Sequence, residues 1–227
     1  MNFPTNLEDW VEWTKRWWGA VAPIPRDQNP VLDVNGNNFM NFNQPYLNEG
    51  VVFLFGNRGG SDIRNISVTN GTVFFFPYVN YIATASTIGG GNVSTIGGGN
   101  TGASNFISLE DEARIDIDNC TSNVSYSGGI TEWGRRWVST PLFNLDWIAP
   151  PAFGSSTSQQ GQIQTVPGVS DGVWAFTNEL NGKAGDRLSI AISSSHQDIF
   201  QKEESATNGR ARRHQWNSTI TYNISIR

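Results

Sequence analysis

The stretch Trp216-Asn217-Ser218-Thr219-Ile220-Thr221-Tyr222-Asn223-Ile224-Ser225-Ile226 sets Ile220, Tyr222, Ile224 and Ile226 on alternate positions, with Thr219, Thr221, Asn223 and Ser225 between them. A period of two is the side-chain period of a β-strand, so one face is buried, the other is wet, and the segment is expected to be a half-buried antiparallel strand. Nearer the N-terminus, Val51-Val52-Phe53-Leu54-Phe55 is an apolar run bounded by Gly50 and Gly56, as in a strand covered on both faces. Ile63 to Thr69 and Thr72 to Pro77 flank Asn70-Gly71, a pair suited to the positive φ angles of a primed turn, and are expected to form a hairpin. Ala113 to Asn119, Trp137 to Asp146, Gly172 to Thr177 and Arg187 to Ser194 read as further strands. Together they predict an all-β fold, an antiparallel β-sandwich, jelly-roll-like or immunoglobulin-like, of about eight to ten strands.

One helix is expected, over residues 5–21. Thr5-x-x-Glu8 has capping-box spacing, Glu8 and Asp9 put negative charge in the first turn, and Gly19 with Pro23 ends the run. Leu7, Trp10, Trp13 or Thr14, Trp17 and Val21 recur every three or four residues, an apolar stripe suited to packing on a sheet. The opposite face lacks the Lys/Arg excess of a membrane-surface helix. Pro23, Pro25 and Pro30, followed by Asn35-Gly36-Asn37-Asn38, make an irregular connector. An eight-residue unit opens at Ser86 and again at Ser94, giving an expected Gly-rich loop over 86–104; it has neither the lysine nor the following helix of a phosphate-cradling loop. Pro150-Pro151 and Ser155 to Gln164 form another long loop. The expected organisation is a single domain spanning 1–227.

Charged residues are 15% of the 227, against roughly 25% in an average soluble protein, and Asn, Ser, Thr and Gly fill the gap. The net charge of −5 argues against a phosphate-tracking surface, so no nucleic-acid partner is expected. The one basic run, Arg210-Ala211-Arg212-Arg213-His214, reads as a solvated loop. Cys120 is the only cysteine, so an intramolecular disulfide or a thiolate metal cluster is ruled out, and its thiol is expected to be buried as a small hydrophobe. No apolar run reaches the ~18 residues of a membrane span, and the N-terminus lacks the order of a signal peptide. Asn-x-Ser/Thr triplets begin at Asn65, Asn70, Asn92, Asn119, Asn123, Asn217 and Asn223, which fits an extracellular or cell-surface location.

Several segments occur together in a recognisable order: Asp9 to Trp18, Asn29-Pro30 with Asp33, Val52 to Gly56, Asn70 to Asn80, Ser139 to Asn144, Val169 to Trp174 and the closing Thr221 to Ile224. This resembles a group of uncharacterised, predicted secreted bacterial and archaeal proteins with a Trp-rich N-terminal helix and a β-rich body. The resemblance implies a fold and a secreted setting, and the family has no assigned activity. Relatives often carry cysteines near the counterparts of Ile66 and Tyr81, where this chain has none, so no disulfide is carried over.

Chemistry-bearing residues are scarce. Only His196 and His214 could serve as imidazole bases, and Ser193-Ser194-Ser195 beside His196 alternate across a strand, which makes chain neighbours poor triad partners. Asp33, Asp62, Asp146, Asp171, Asp186 and Asp198 are the candidates for a glycosidase carboxylate pair, although Asp171 before Gly172 and Asp186 after Gly185 read as turn residues. Asp116 and Asp118 with Glu110, Asp111 or Glu112 offer oxygen ligands for Ca²⁺, but the spacing matches no calcium loop. No cofactor or metal is expected. Of nine tryptophans, Trp133 is the one expected to be exposed; with Arg135 and Arg136 it is the candidate contact for a glycan. The expected function is a non-catalytic extracellular binding or structural module contacting a glycan or protein surface. The alternatives are a carbohydrate-active enzyme using paired carboxylates and a self-assembling subunit of an extracellular filament or shell.

Overall fold

A computed structural model describes residues 3–25, 27–36, 49–57, 60–85, 93–95, 120–148, 163–197 and 215–227. In chain order they form helix α1 (Leu7–Val21) and strands β1 (Val51–Phe53), β2 (Gly60–Val68), β3 (Val73–Ala85), β4 (Val93–Thr95), β5 (Cys120–Ser127), β6 (Glu132–Ser139), β7 (Phe143–Ile148), β8 (Ile163–Thr177), β9 (Arg187–Gln197) and β10 (Gln215–Ile226). A six-stranded sheet has the order β1-β3-β8-β6, with β4 added to β3 and β7 to β8; a four-stranded sheet has the order β2-β10-β9-β5. We call them sheets A and B.

The closing strand behaves as its alternation requires. Ile220, Tyr222, Ile224 and Ile226 are buried, Thr219 and Asn223 are exposed, and β10 lies between β2 and β9. The sheets, however, are mixed rather than antiparallel throughout. β10 runs parallel to β2 from Ser218↔Gly60 to Ile226↔Val68, and β1 runs parallel to β3. Alternation fixes which face of a strand is buried but not the direction of its neighbours.

The expected hairpin across Asn70-Gly71 does not form, because β2 belongs to sheet B and β3 to sheet A. A primed turn with two left-handed residues would let the strands pair. Here Gly71 alone takes a positive φ (81°) and Asn70 does not, while the Thr72 N–H bonds the Thr69 carbonyl at 3.4 Å. That pattern is a type II turn, which splays its flanking strands. The link becomes an arch between sheets, held by Leu180, which accepts from the Gly71 N–H and donates to the Thr72 carbonyl (both 2.9 Å).

Three other boundaries differ from expectation. β3 passes through Pro77 because the pairing with β8 shifts register between Pro77 and Val79, and a bulge accommodates the missing donor. Asp171-Gly172 is no turn: both residues lie within β8, and a Cβ on Gly172 would stand 2.5 Å from the Val79 carbonyl oxygen, so glycine is there for close backbone approach. Trp137 to Asp146 divides between β6 and β7, whereas Asp186 does sit in a turn, accepting from the Lys183 N–H at 2.7 Å. β4 lies inside the expected Gly-rich loop and β5 was not anticipated. Residues 113–119 with the calcium candidates Asp116 and Asp118, the basic run 210–214, Asp198 and the Cys120 and His196 side chains fall outside the described set.

Helix α1 starts one residue later than its sequence signature. Asn6 is the N-cap and Asp9 closes the capping box, the Asp9 N–H donating to Asn6 Oδ1 at 2.9 Å. The Thr5 N–H also donates to Asp9 at 2.8 Å and holds its carboxyl below the usual carboxylate range. Trp10, Val11, Thr14, Trp17, Trp18 and Val21 are buried; Leu7, expected in the stripe, is 46% exposed because it precedes the part of the helix over the sheet. The stripe lies on sheet A, where Trp10 and Trp13 meet Phe75 and Phe176, and Trp17 meets Phe55 and Trp174. Two indoles also bond: Trp17 Nε1 donates to the Leu54 carbonyl at 3.0 Å and Trp18 Nε1 to Ser170 Oγ at 2.7 Å.

Between the sheets lies a buried cation that the sequence reading passed over. Arg64 is 0% exposed on the inner face of β2. Its Nη1 donates to the Tyr222 hydroxyl (2.8 Å) and the Phe55 carbonyl (3.0 Å), its Nη2 reaches the Val31 and Gly56 carbonyls (3.4 Å each), and Asp62 lies 3.9 Å away. The Tyr222 hydroxyl donates to the Phe55 carbonyl at 2.6 Å and accepts from the Phe55 N–H at 2.9 Å. The cluster ties the end of β1, the 29–36 connector and both parallel strands of sheet B to one point. Its sequence trace is the inversion at Ile63-Arg64, where the apolar residue faces out (60% exposed) and the charged one faces in.

Candidate functional site

β5, an edge of sheet B, and β6, an edge of sheet A, follow one another in the chain and form one rim of the molecule. At that rim Glu132 accepts hydrogen bonds from the hydroxyls of Tyr78 and Tyr126 (the latter at 3.4 Å), the two hydroxyls lie 3.0 Å apart, and Arg135 Nε stands 3.8 Å from Glu132. The Arg135 guanidinium also lies 5.1 Å from the Tyr78 ring centroid. β3, β5 and β6 are pinned together by this group, with Tyr78 buried and Tyr126 and Glu132 half-buried.

Burial raises the ionisation of Tyr78 and Tyr126 above the ordinary phenol range, and the bond to the Glu132 carboxylate pushes Tyr78 further in the same direction. Tyr222 is also raised, chiefly by burial, against a smaller opposite pull from Arg64. These phenols stay neutral in the fold but ionise near pH 10 once unfolded, so the unfolded chain releases protons that the native one keeps. Stability is therefore complete below pH about 10 and is expected to fall as the pH rises beyond it. Absorbance at 295 nm should show all five tyrosines ionising together in urea but at least three delayed in the native protein. Five coincident native titrations would contradict the buried cluster.

Trp133, Arg135 and Arg136 all lie on β6 but do not form one platform. Trp133 is 46% exposed and stacks on Phe3 at 4.3 Å and 14°, and Phe3 in turn packs edge-on against Phe176 on the helix side of sheet A. Arg136 is paired with Trp174, and so shares the helix side, whereas Arg135 is paired with Ala175 and turns to the Tyr78 side. Strand alternation divides the two arginines, and the bulge between Glu132 and Gly134 brings Trp133 to the helix side with Arg136 instead of Arg135. Trp137, 45% exposed, is a second large aromatic on the same strand. Sequence reasoning missed Tyr78, Tyr126 and Glu132 because they come from three strands in two sheets; no spacing along the chain links them.

The five described carboxylates among the catalytic candidates each have a local partner, and Asp198 lies outside the described residues. Asp33 accepts from the Gly36 N–H (3.1 Å), Asp62 faces Arg64, Asp146 accepts from Thr165 Oγ1 (2.7 Å), Asp171 accepts from the Gly172 N–H (2.9 Å), and Asp186 holds its turn. Among the described residues no group of three or more His, Cys, Asp or Glu could hold a metal ion, and no helix is long and apolar enough to cross a membrane.

The outer face of sheet B is lined by short, largely polar side chains that are exposed or half-buried. β5 contributes Thr121, Asn123, Ser125 and Ser127, and β9 contributes Ser189, Ala191, Ser193 and Ser195. Asn217, Thr219, Thr221, Asn223 and Ser225 of β10, with Ser61, Ile63, Asn65 and Ser67 of β2, complete it. Among the described residues this face carries no charge apart from Arg187 at its margin. Its residues bond laterally: Thr121 to Ser195 (2.7 Å), Ser127 to Ser189 (2.8 Å) and Asn223 to Asn65 (3.0 Å). The Asn-x-Ser/Thr triplets at Asn65, Asn123, Asn217 and Asn223 belong to it, because strand periodicity sets Asn and Ser/Thr on the same side with the middle residue inward. Comparison with protein-family models, curated proteins and solved structures finds no significant match to this chain.

Proposed function

We propose that the protein is a non-catalytic binding or structural module on a β-sandwich framework, jelly-roll-like or immunoglobulin-like, working at the cell surface or outside it. The observation that carries this reading is the uncharged Ser/Thr/Asn face of sheet B, a wide hydroxyl and amide surface held by its own lateral bonds. Such a surface suits contact with neutral polar partners, since its described residues carry little charge with which to track an anion. Local engagement of the carboxylates supports the non-catalytic side of the reading. A glycan contact is favoured at the β6 rim on the helix side of sheet A, where Trp133 is about half exposed on the face that Arg136 shares.

Tryptophan fluorescence titrated with a panel of neutral and acidic polysaccharides tests this contact. A saturable change in emission is expected, and it should shrink in Trp133→Ala. An unchanged emission across the panel would remove the glycan contact and leave the structural reading, whereas release of reducing sugar from any member of the panel would overturn the non-catalytic one.

A further inference from the structure

We infer that β5 is the surface through which two copies of this chain pair, antiparallel and edge to edge, about a twofold axis at Val124. An edge strand presents a row of unpaired N–H and C=O groups, and stable proteins blunt such edges with charge, a bulge, inward-pointing charged residues, short length or a covering element. The other edges here use these devices. β6 has a bulge at Glu132/Gly134 and carries Arg135 and Arg136; β2 points Asp62 and Arg64 inward; β1 and β4 have three residues each. β7 holds Asp146 against Thr165 and lines a groove beside α1. β5 has eight residues, Cys120-Thr-Ser-Asn-Val-Ser-Tyr-Ser127, with no charge, no proline and an unbroken register against β9.

A second copy matches this edge. In an antiparallel pair directly opposed residues share a face. Centring the axis on Val124 sets Thr121 opposite Ser127 and Asn123 opposite Ser125 on the outer face, with Ser122 opposite Tyr126 within. The outer Thr121–Ser127 pair is of the same hydroxyl–hydroxyl kind as the contacts that the chain already makes between β5 and β9. Val124 and Tyr126, half-buried against the core at an edge with no further strand among the described residues, gain cover, and no like charges meet. The two Ser/Thr/Asn faces then run on as one eight-stranded surface. The inference goes beyond the glycan contact, which lies on β6 and does not depend on pairing.

Sedimentation equilibrium of the full chain over increasing concentration tests it. The expected result is a reversible rise from 25.0 kDa toward twice that mass. Ser125→Lys, which sets like charges across the axis, should hold the protein at monomer mass with unchanged circular dichroism; Thr121→Lys is an independent second variant. Ser67→Lys on β2 and Ser139→Lys on β6 should still dimerise. In a Cys120→Ser background, Val124→Cys should form a disulfide-linked dimer on mild oxidation, since a strand pair brings such residues within bridging distance. A monomer up to the solubility limit overturns the inference, as does a dimer indifferent to both β5 lysines or lost in the β2 or β6 variant.

Discussion

Arg64→Ala is expected to destabilise the protein by about 3–5 kcal/mol in urea denaturation, as when one partner of a buried, bonded charge is removed. The cost has several sources. The variant strips a donor from the Phe55 carbonyl and the Tyr222 hydroxyl, leaves Asp62 without its neighbouring cation, and opens a void where a fully buried guanidinium lay. Arg64→Lys should recover only part of the loss, because an ammonium cannot reach carbonyls on several sides as a planar fork does. Since Nη2 also reaches Val31, hydrogen exchange of residues 29–36 should accelerate more than that of β9. A change below about 1 kcal/mol would mean that the cation is not buried as described.

Trp17→Ala should weaken the fold by a similar amount, about 3–5 kcal/mol, the range for truncating a core aromatic to alanine. Trp17 is 2% exposed, sits 5.4 Å from Trp174, 5.2 Å from Phe55 and 5.0 Å from Trp18, and supplies a donor to the Leu54 carbonyl. Trp17→Phe separates the contributions: it keeps most of the apolar contact and loses the bond, so it should cost about 1–3 kcal/mol. The truncated variant is also expected to shift tryptophan emission to the red as water reaches the remaining indoles under α1. Near-wild-type stability for Trp17→Ala would show that α1 is a detachable appendage and not one layer of the core.

The readings that held share one property: each rested on a pattern within a single element. Alternation in β10 assigned its buried face, and three- and four-residue spacing in α1 identified Trp10, Trp17 and Val21 as the packed side. The readings that failed concerned relations between elements. Asn70-Gly71 was legible as a turn, but a hairpin differs from an arch by the φ of one residue, and sequence gives Asn70 either sign. Asp171-Gly172 looked like a turn because its residue types favour one; in the fold Gly172 instead admits the close backbone of its paired neighbour β3 beside the bulge. The candidate contact was legible in part. Trp133 is exposed as expected, yet Arg135 and Arg136, as neighbours on one strand, face opposite sides of the sheet.

By itself the amino-acid sequence determined that the chain is rich in strands, which face of the closing strand is buried, where the one described helix lies, and that its surface is poor in charge. Each follows from side-chain period and composition, which act over a few residues. Tertiary structure alone decided the parallel neighbour of β10, the burial of Arg64, the meeting of Tyr78, Tyr126 and Glu132, and the gathering of Ser, Thr and Asn from four strands into one uncharged face. These depend on contacts between segments far apart in the chain, whose free energies are set by which surfaces can exclude water together, and no local period encodes that choice.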